Sequence, residues 1–193
     1  MIGDGFTHAQ LEAIAAPDGP VCVVAGPGCG KTTLLAARIA FLVEQRGYDP
    51  ASILAVSFTT AAARALRGQL DRQIGSVAAE IAIHTLHALG RRVVDTWADQ
   101  LGFDNRPAVL HPGERRALLE STAAELGWGA GTFAAPELQA AVDRCRLVAD
   151  PQAQASDPLW RLASAYEDRL RRHGALDFVG MLALPLRLFR AQP

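Results

Sequence analysis

Val21-Cys22-Val23-Val24-Ala25-Gly26-Pro27-Gly28-Cys29-Gly30-Lys31-Thr32 is the stretch that decides the fold. Its first five residues are apolar and mostly β-branched, which predicts a short buried strand, Val21 to Ala25. Glycine then alternates with small residues. Gly26, Gly28 and Gly30 permit backbone torsions that side chains resist. A loop of this kind turns its N–H groups inward as a nest for anionic oxygens. Lys31 to Gln45 follows with Leu34, Leu35, Ile39 and Leu42 at helical spacing, and Gly47 stops it. The N-terminus of that helix adds partial positive charge. Strand, glycine loop and helix, in that order, are the context that raises Ala25–Thr32 above a chance match to G-x-x-x-x-G-K-[ST], with Ala25 in the first glycine position. In such a loop the Lys31 ammonium reaches the β- and γ-phosphates of ATP, and the Thr32 hydroxyl is offered to Mg²⁺. The alternative is a glycine turn that binds nothing, and the Lys-Thr pair weighs against it.

Composition agrees with a folded domain. Of 193 residues 50% are hydrophobic and 20% charged, enough for a core and unlike a disordered chain. The net charge of −1 excludes a uniformly basic nucleic-acid coat, but not a local basic patch. Among 19 basic residues there is a single lysine, Lys31. Arginine and lysine are not interchangeable where a compact point charge must sit among phosphates. Cys22, Cys29 and Cys145 are too few for a disulfide framework, and a reducing, cytoplasmic setting is expected. Cys29 sits at a free position of the loop where any small residue fits; the alternative is a thiol activated by the helix N-terminus and Lys31. Met1 to Gln10 carries no apolar signal core, and the longest uncharged run, Pro50 to Ala63, is too short and too polar to span a membrane.

Outward from the loop, Phe6 to Ala16 is predicted as a helix capped by Thr7, and Pro17–Pro20 as a turn. Ile53–Phe58 is a second strand, Ala61–Gln73 a helix, Ile81–Ile83 a third strand, and His87–Asp99 a helix. That alternation predicts a parallel sheet flanked by helices, an α/β fold. After Trp97 no further strand is expected. Pro112–Leu126, Ala135–Leu147 and Pro158–His173 read as helices, Gly127–Gly131 and Asp150–Asp157 as linkers, and Leu176–Arg190 as a last helix perturbed by Pro185.

Five segments in order carry a family resemblance. Phe6-Thr7-His8-Ala9-Gln10 is similar to a Q motif, whose Gln reads adenine. The glycine loop and the helix through Arg38 resemble a strand with Walker A. Ile53-Leu-Ala-Val-Ser-Phe-Thr59 with Ala62-Ala63-Arg64 resembles motif Ia, and Thr85-Leu86-His87 resembles motif Ib. Tyr166 with Leu176-Asp177-Phe178 is similar to the Leu-Asp-Phe stretch that closes a helical insertion. Together they resemble the N-terminal part of superfamily 1 DNA helicases of the UvrD/PcrA/Rep type. The resemblance implies a P-loop NTPase with a partial RecA-like sheet in residues 1–97, a helical inserted subdomain in 98–173 and a returning helix in 174–193. It implies ATP and Mg²⁺ as cofactors, held by Gln10, Ala25, Gly26, Pro27, Gly28, Cys29, Gly30, Lys31, Thr32, Thr33 and Arg38. On this resemblance Lys31 and Thr32 would be the catalytic residues and Thr32 the metal ligand. Phe58, Thr59, Thr85 and His87 would face single-stranded DNA or a single/double-strand junction, by stacking and by phosphate or sugar contacts. The service implied is DNA repair or replication.

The departures bear on activity. Thr60-Ala61 stand where the family usually has Asn-Lys, and Val179-Gly180 where it has Asp-Asp. No apolar run ends in the Asp-Glu of a Walker B strand, and no second RecA-like domain follows. The chain therefore reads as roughly the front quarter of a helicase, with the remainder or a partner supplying those parts, and it is not expected to hydrolyse ATP or unwind DNA alone. Without a Walker B neighbour, Val21–Ala25 is expected to present an open hydrophobic edge. The alternative function is a non-catalytic nucleotide- or DNA-binding module acting with a partner; a small-molecule kinase would have no use for Thr85-Leu-His87. Arg91-Arg92, Arg115-Arg116 and Arg171-Arg172 read either as phosphate contacts or as solvated helix faces.

Overall fold

The computed structural model describes residues 5–129, 136–148 and 157–191. Packing divides the chain into two units, Met1–Leu86 and His87–Pro193.

The first unit opens with α1 (His8–Ala15). The Thr7 hydroxyl accepts the Gln10 N–H (3.3 Å), and the Gln10 side chain accepts the Thr7 N–H (2.8 Å), which closes a capping box. Val21–Ala25 departs from expectation. It is not a buried strand: it lies outside regular secondary structure, and Val24 is 94% exposed. A β-branched run becomes a buried strand only where other strands pair with it. Among the described residues β1 (Leu54–Ser57) and β2 (Ala82–Thr85) pair only with each other. They run parallel, with Leu54 opposite Ala82 and Ser57 opposite Thr85.

The glycine loop feeds α2 (Lys31–Glu44), which buries Ala36, Ala37, Ile39 and Ala40. Gly47 adopts φ 68° beyond its end, and the Tyr48 N–H returns to the Leu42 carbonyl (3.0 Å). Between the strands runs α3 (Thr60–Ile74), capped by the Thr59 hydroxyl on the Ala62 N–H (3.1 Å). Its Leu66 and Leu70, one turn apart, meet Ala36, Ile39, Ala55 and Ile81 in the core. Arg67 donates to the carbonyls of Ala78 and Ile81, tying α3 to the turn before β2.

The second unit is mostly helical: α4 (Leu86–Thr96), α5 (Pro112–Glu125), α6 (Pro136–Leu147), α7 (Pro158–Arg172) and α8 (Gly180–Ala191). The expectation of no strand after Trp97 is corrected by a small parallel pair, β3 (Ala108–Val109) with β4 (Ala175–Leu176). Two residues are too few to leave a period-2 pattern. Leu119, Val142, Leu162, Tyr166 and Leu170 fill one core, and Val94, Phe103, Leu176, Met181 and Leu184 a second. Residues 130 and 131 of the first expected linker, 150–156 of the second, and the expected helix start at Ala135 lie outside the described residues.

Pro185 sits inside α8, where its missing N–H leaves the Met181 carbonyl without the usual helical donor. Gly90 of α4 lies directly against that carbonyl. A Cβ at Gly90 would stand 1.9 Å from the Met181 oxygen, so only hydrogen fits. Among the described residues no helix is long and apolar enough to cross a membrane.

Candidate functional site

The glycine loop, in the first unit, has the backbone that its sequence demands. Gly28 and Gly30 take φ 77° and 70°, a left-handed conformation that L side chains resist, and a Cβ at Gly28 would meet open space. Gly30 is the N-cap of α2, and no side chain caps that helix. Its first N–H groups are thus left to an external acceptor or to water. Lys31 folds over the loop: its Nζ donates to the carbonyls of Gly26 (2.6 Å) and Ala25 (3.2 Å). One ammonium therefore holds two loop carbonyls just ahead of the uncapped helix. Thr32 is half-buried in the first turn of α2, and Thr33 accepts from the Gln69 amide (3.3 Å). The Gln69 Oε1 is buried without a hydrogen-bond partner. Cys29 is exposed, with its sulfur 3.9 Å from the Pro27 carbonyl.

Gln10 reaches this loop. Its Nε2 donates to the Cys29 carbonyl (3.5 Å), while its Oε1 is held in the capping box of α1. Arg38, two turns into α2, donates to the Ile14 carbonyl (2.6 Å) at the end of α1. The structure therefore gathers Gln10, Gly26, Cys29 and Lys31 around one loop and places Arg38 at the α1–α2 contact. These residues fit a polyphosphate by their chemistry: left-handed glycines, an uncapped helix N-terminus and a single movable ammonium.

Phe58, Thr59 and Thr85 lie at the carboxyl ends of the two parallel strands, where the Ser57–Thr85 pairing puts them side by side. Phe58 is 87% exposed and so takes no part in the core. Ligands of parallel sheets gather at such strand ends.

His87 belongs to the second unit. Its ring stacks on Phe178, with centroids 3.7 Å apart and planes 19° from parallel. Phe178 is 59% exposed. The resemblance puts Leu176-Asp177-Phe178 at the end of a helical insertion and gives Phe178 no contact; its signal in the sequence is an aromatic beside an acid in an apolar run. Behind Phe178 lies a buried charge network. Arg146, 2% exposed, grips Asp177, 0% exposed, through both oxygens (2.6 and 2.8 Å), and its Nε donates to Glu167 (2.9 Å). Burial alone would pull the Arg146 guanidinium down, but the hydrogen bonds and charge of Asp177 outweigh it and hold it raised. Burial likewise works against the Asp177 carboxylate, and the Arg146 fork overcomes it, so Asp177 is held below the usual carboxylate range. Burial, then the Asp177 charge, push Tyr166 up.

The paired arginines divide. Arg115 is a network member, bonded to Asp143 (2.6 Å) and Asp177 (3.2 Å). Arg91 pairs with Asp95 (2.8 Å), Arg116 lies near Glu120 (3.6 Å), and Arg171 pairs with Asp168 (2.9 Å).

The family model for the UvrD/REP helicase N-terminal domain matches residues 6–193. The chain is 27% identical over 192 residues to the ATP-dependent DNA helicase PcrA of Staphylococcus aureus, covering 95% of this chain and 26% of that protein. It is 26% identical to the protein of the same name from Staphylococcus epidermidis, with the same coverage. The chain thus spans about a quarter of the length of these relatives. With the matched residues running from the capping-box segment through α8, the chain belongs to the UvrD/REP helicase N-terminal domain family.

Proposed function

We propose that this chain is the ATP- and single-stranded-DNA-binding front of an ATP-dependent DNA helicase or translocase, built on a P-loop, RecA-like unit with a helical insertion. The observation that carries the reading is the Lys31 ammonium lying across two loop carbonyls at an uncapped helix N-terminus. An ATP polyphosphate would take the loop N–H groups and draw Lys31 off those carbonyls onto its β- and γ-oxygens. Thr32 would offer its hydroxyl to Mg²⁺, which supplies charge neutralisation between the phosphates. Gln10 and Arg38 would take the adenosine end. Phe58, Thr59 and Thr85 would meet single-stranded DNA at the strand ends, and the His87–Phe178 stack would offer a second aromatic face to a base. The names of the relatives support ATP and DNA as ligands. The partners proposed are single-stranded DNA or its junction with a duplex and the remaining domains of a helicase; the setting is the cytoplasm, in repair or replication.

Binding of a fluorescent ATP analogue to the purified chain, with and without Mg²⁺ and beside Lys31→Ala, tests this. Loss of one charge-assisted contact, worth about 1.5–3 kcal/mol, should weaken binding by roughly 10- to 100-fold. Equal affinity for Lys31→Ala, or no saturable binding by the parent, overturns the reading.

A further inference from the structure

We infer that Arg146 is a positioning residue for the His87–Phe178 stack, acting through Asp177; its consequence for DNA rests on the role proposed above for His87. Burial does not anchor the Phe178 ring. Phe178 is more than half exposed, so its place over His87 must come from the backbone that carries it. Asp177 holds that backbone on both sides. Its own carboxylate is locked by the Arg146 fork, and the same carboxylate accepts the Gly180 N–H through Oδ1 (2.8 Å). Phe178 and Val179 lie inside the turn that this bond closes.

The rest of the shell leaves that loop little freedom. The Tyr166 hydroxyl and the Arg115 Nε fill Oδ2 at 3.2 Å each. Arg187 bonds Glu167 and holds the carbonyl of Arg146 itself (3.0 Å). A Cβ on Gly180 would stand 2.7 Å from Leu176 Cδ1, 3.0 Å from Asp177 Oδ1 and 3.3 Å from Arg146 Nη2. Leu176, Asp177 and Arg146 together therefore line the inner side of the turn at Gly180. A buried ion cluster is a poor source of stability compared with apolar packing, but its bonds have direction. Here the directional bonds converge on one turn, and the only exposed aromatic on that turn is the one stacked on His87.

The test reads the stack directly. In the parent chain the Phe178 ring current shifts the His87 ring protons upfield in the proton NMR spectrum, and Phe178→Leu calibrates the size of that shift. Arg146→Lys keeps the charge but has no planar fork to span both oxygens. Gly180→Ala crowds the turn and the Asp177–Arg146 fork without removing a charge, and it decides the matter if Arg146→Lys does not fold. The expected result, in variants that keep a cooperative melt, is loss of most of the upfield shift and several-fold weaker binding of a fluorescent oligothymidylate, with binding of the ATP analogue unchanged. A folded Arg146→Lys or Gly180→Ala with parental His87 shifts overturns the inference. If Phe178→Leu abolishes the shift while oligothymidylate binds as to the parent, the DNA role of this face falls and the positioning role stands.

Discussion

One methyl group, in Gly90→Ala, probes the contact that sets α4 against α8. The added Cβ would lie 1.9 Å from the Met181 carbonyl oxygen, 3.0 Å from its carbon and 3.7 Å from Pro185 Cγ. Carbon-to-oxygen contacts of this kind settle at about 3.3–3.6 Å, so the helices must part by roughly 1.4 Å. The obstacle is backbone, so no rotamer change relieves it. Overpacking costs about 1–3 kcal/mol, and two facing backbones put this case at the upper end. Alanine returns about 0.8–1.0 kcal/mol of helix propensity. The net loss is about 2 kcal/mol. For a unit of this size each kcal/mol moves Tm by about 4–8 °C, so circular dichroism should show a fall of ~10 °C. His87 lies three residues before Gly90, on the same face of α4, so its ring protons should also move toward the positions of an unstacked imidazole. A Gly90→Ala chain that melts at or above the parental temperature would mean that only propensity was changed and would refute the reasoning.

Two further outcomes follow from the charge network and from the loop helix. Asp177 has a lowered folded-state pKa against an unfolded value of about 3.9. Its contribution is fully present above about pH 4 and is lost as pH falls through the lowered value. Burial raises Asp143, against the pull of Arg115 and Arg146, so its protonation gives back a part as pH falls toward about 4, before the loss from Asp177 begins. Melting followed from pH 7 to pH 2 should show a loss of Tm below about pH 4, and Asp177→Asn should melt lower at neutrality with a flatter acid limb; an unchanged limb would remove Asp177 from the account. Gln69→Leu discards a buried, unpartnered Oε1 together with one hydrogen bond to Thr33. Because an orphaned buried acceptor costs about 1–3 kcal/mol and the bond returns about 1, the variant should be neutral or more stable, and a clear drop in Tm would show that the Thr33 contact matters more than its length suggests.

Which parts of the chain were legible in the sequence follows from how local their causes are. The glycine loop ahead of Lys31-Thr32 was readable because a tight strand-to-helix turn is settled within a few neighbouring residues, and Gly28 and Gly30 adopt the left-handed backbone that their spacing implies. Thr7 and Gln10 were readable for the same reason, since a capping box is closed within four residues. Val21–Ala25 misled because β-branching records only a preference, whereas a strand exists through its ladder, and neither β1 nor β2 pairs with it. Phe178 and Arg146 were hidden for a further reason. The ring of Phe178 meets a residue far away in sequence, and arginine by type reads as surface, so Arg115 looked like one half of a solvated pair while its guanidinium was already committed to Asp177. The readable clue was Asp177 itself: an acid next to buried Ala175 and Leu176 must find a cation or remain protonated. The bias toward arginine then acquires a second meaning. It sets Lys31 apart as the one compact ammonium, and it also supplies the planar forks that a buried carboxylate with two oxygens to satisfy requires. Arg146→Lys would therefore fail at Asp177, whose two oxygens need a fork, and, on the function proposed above, Lys31→Arg would fail at the loop, which needs a point.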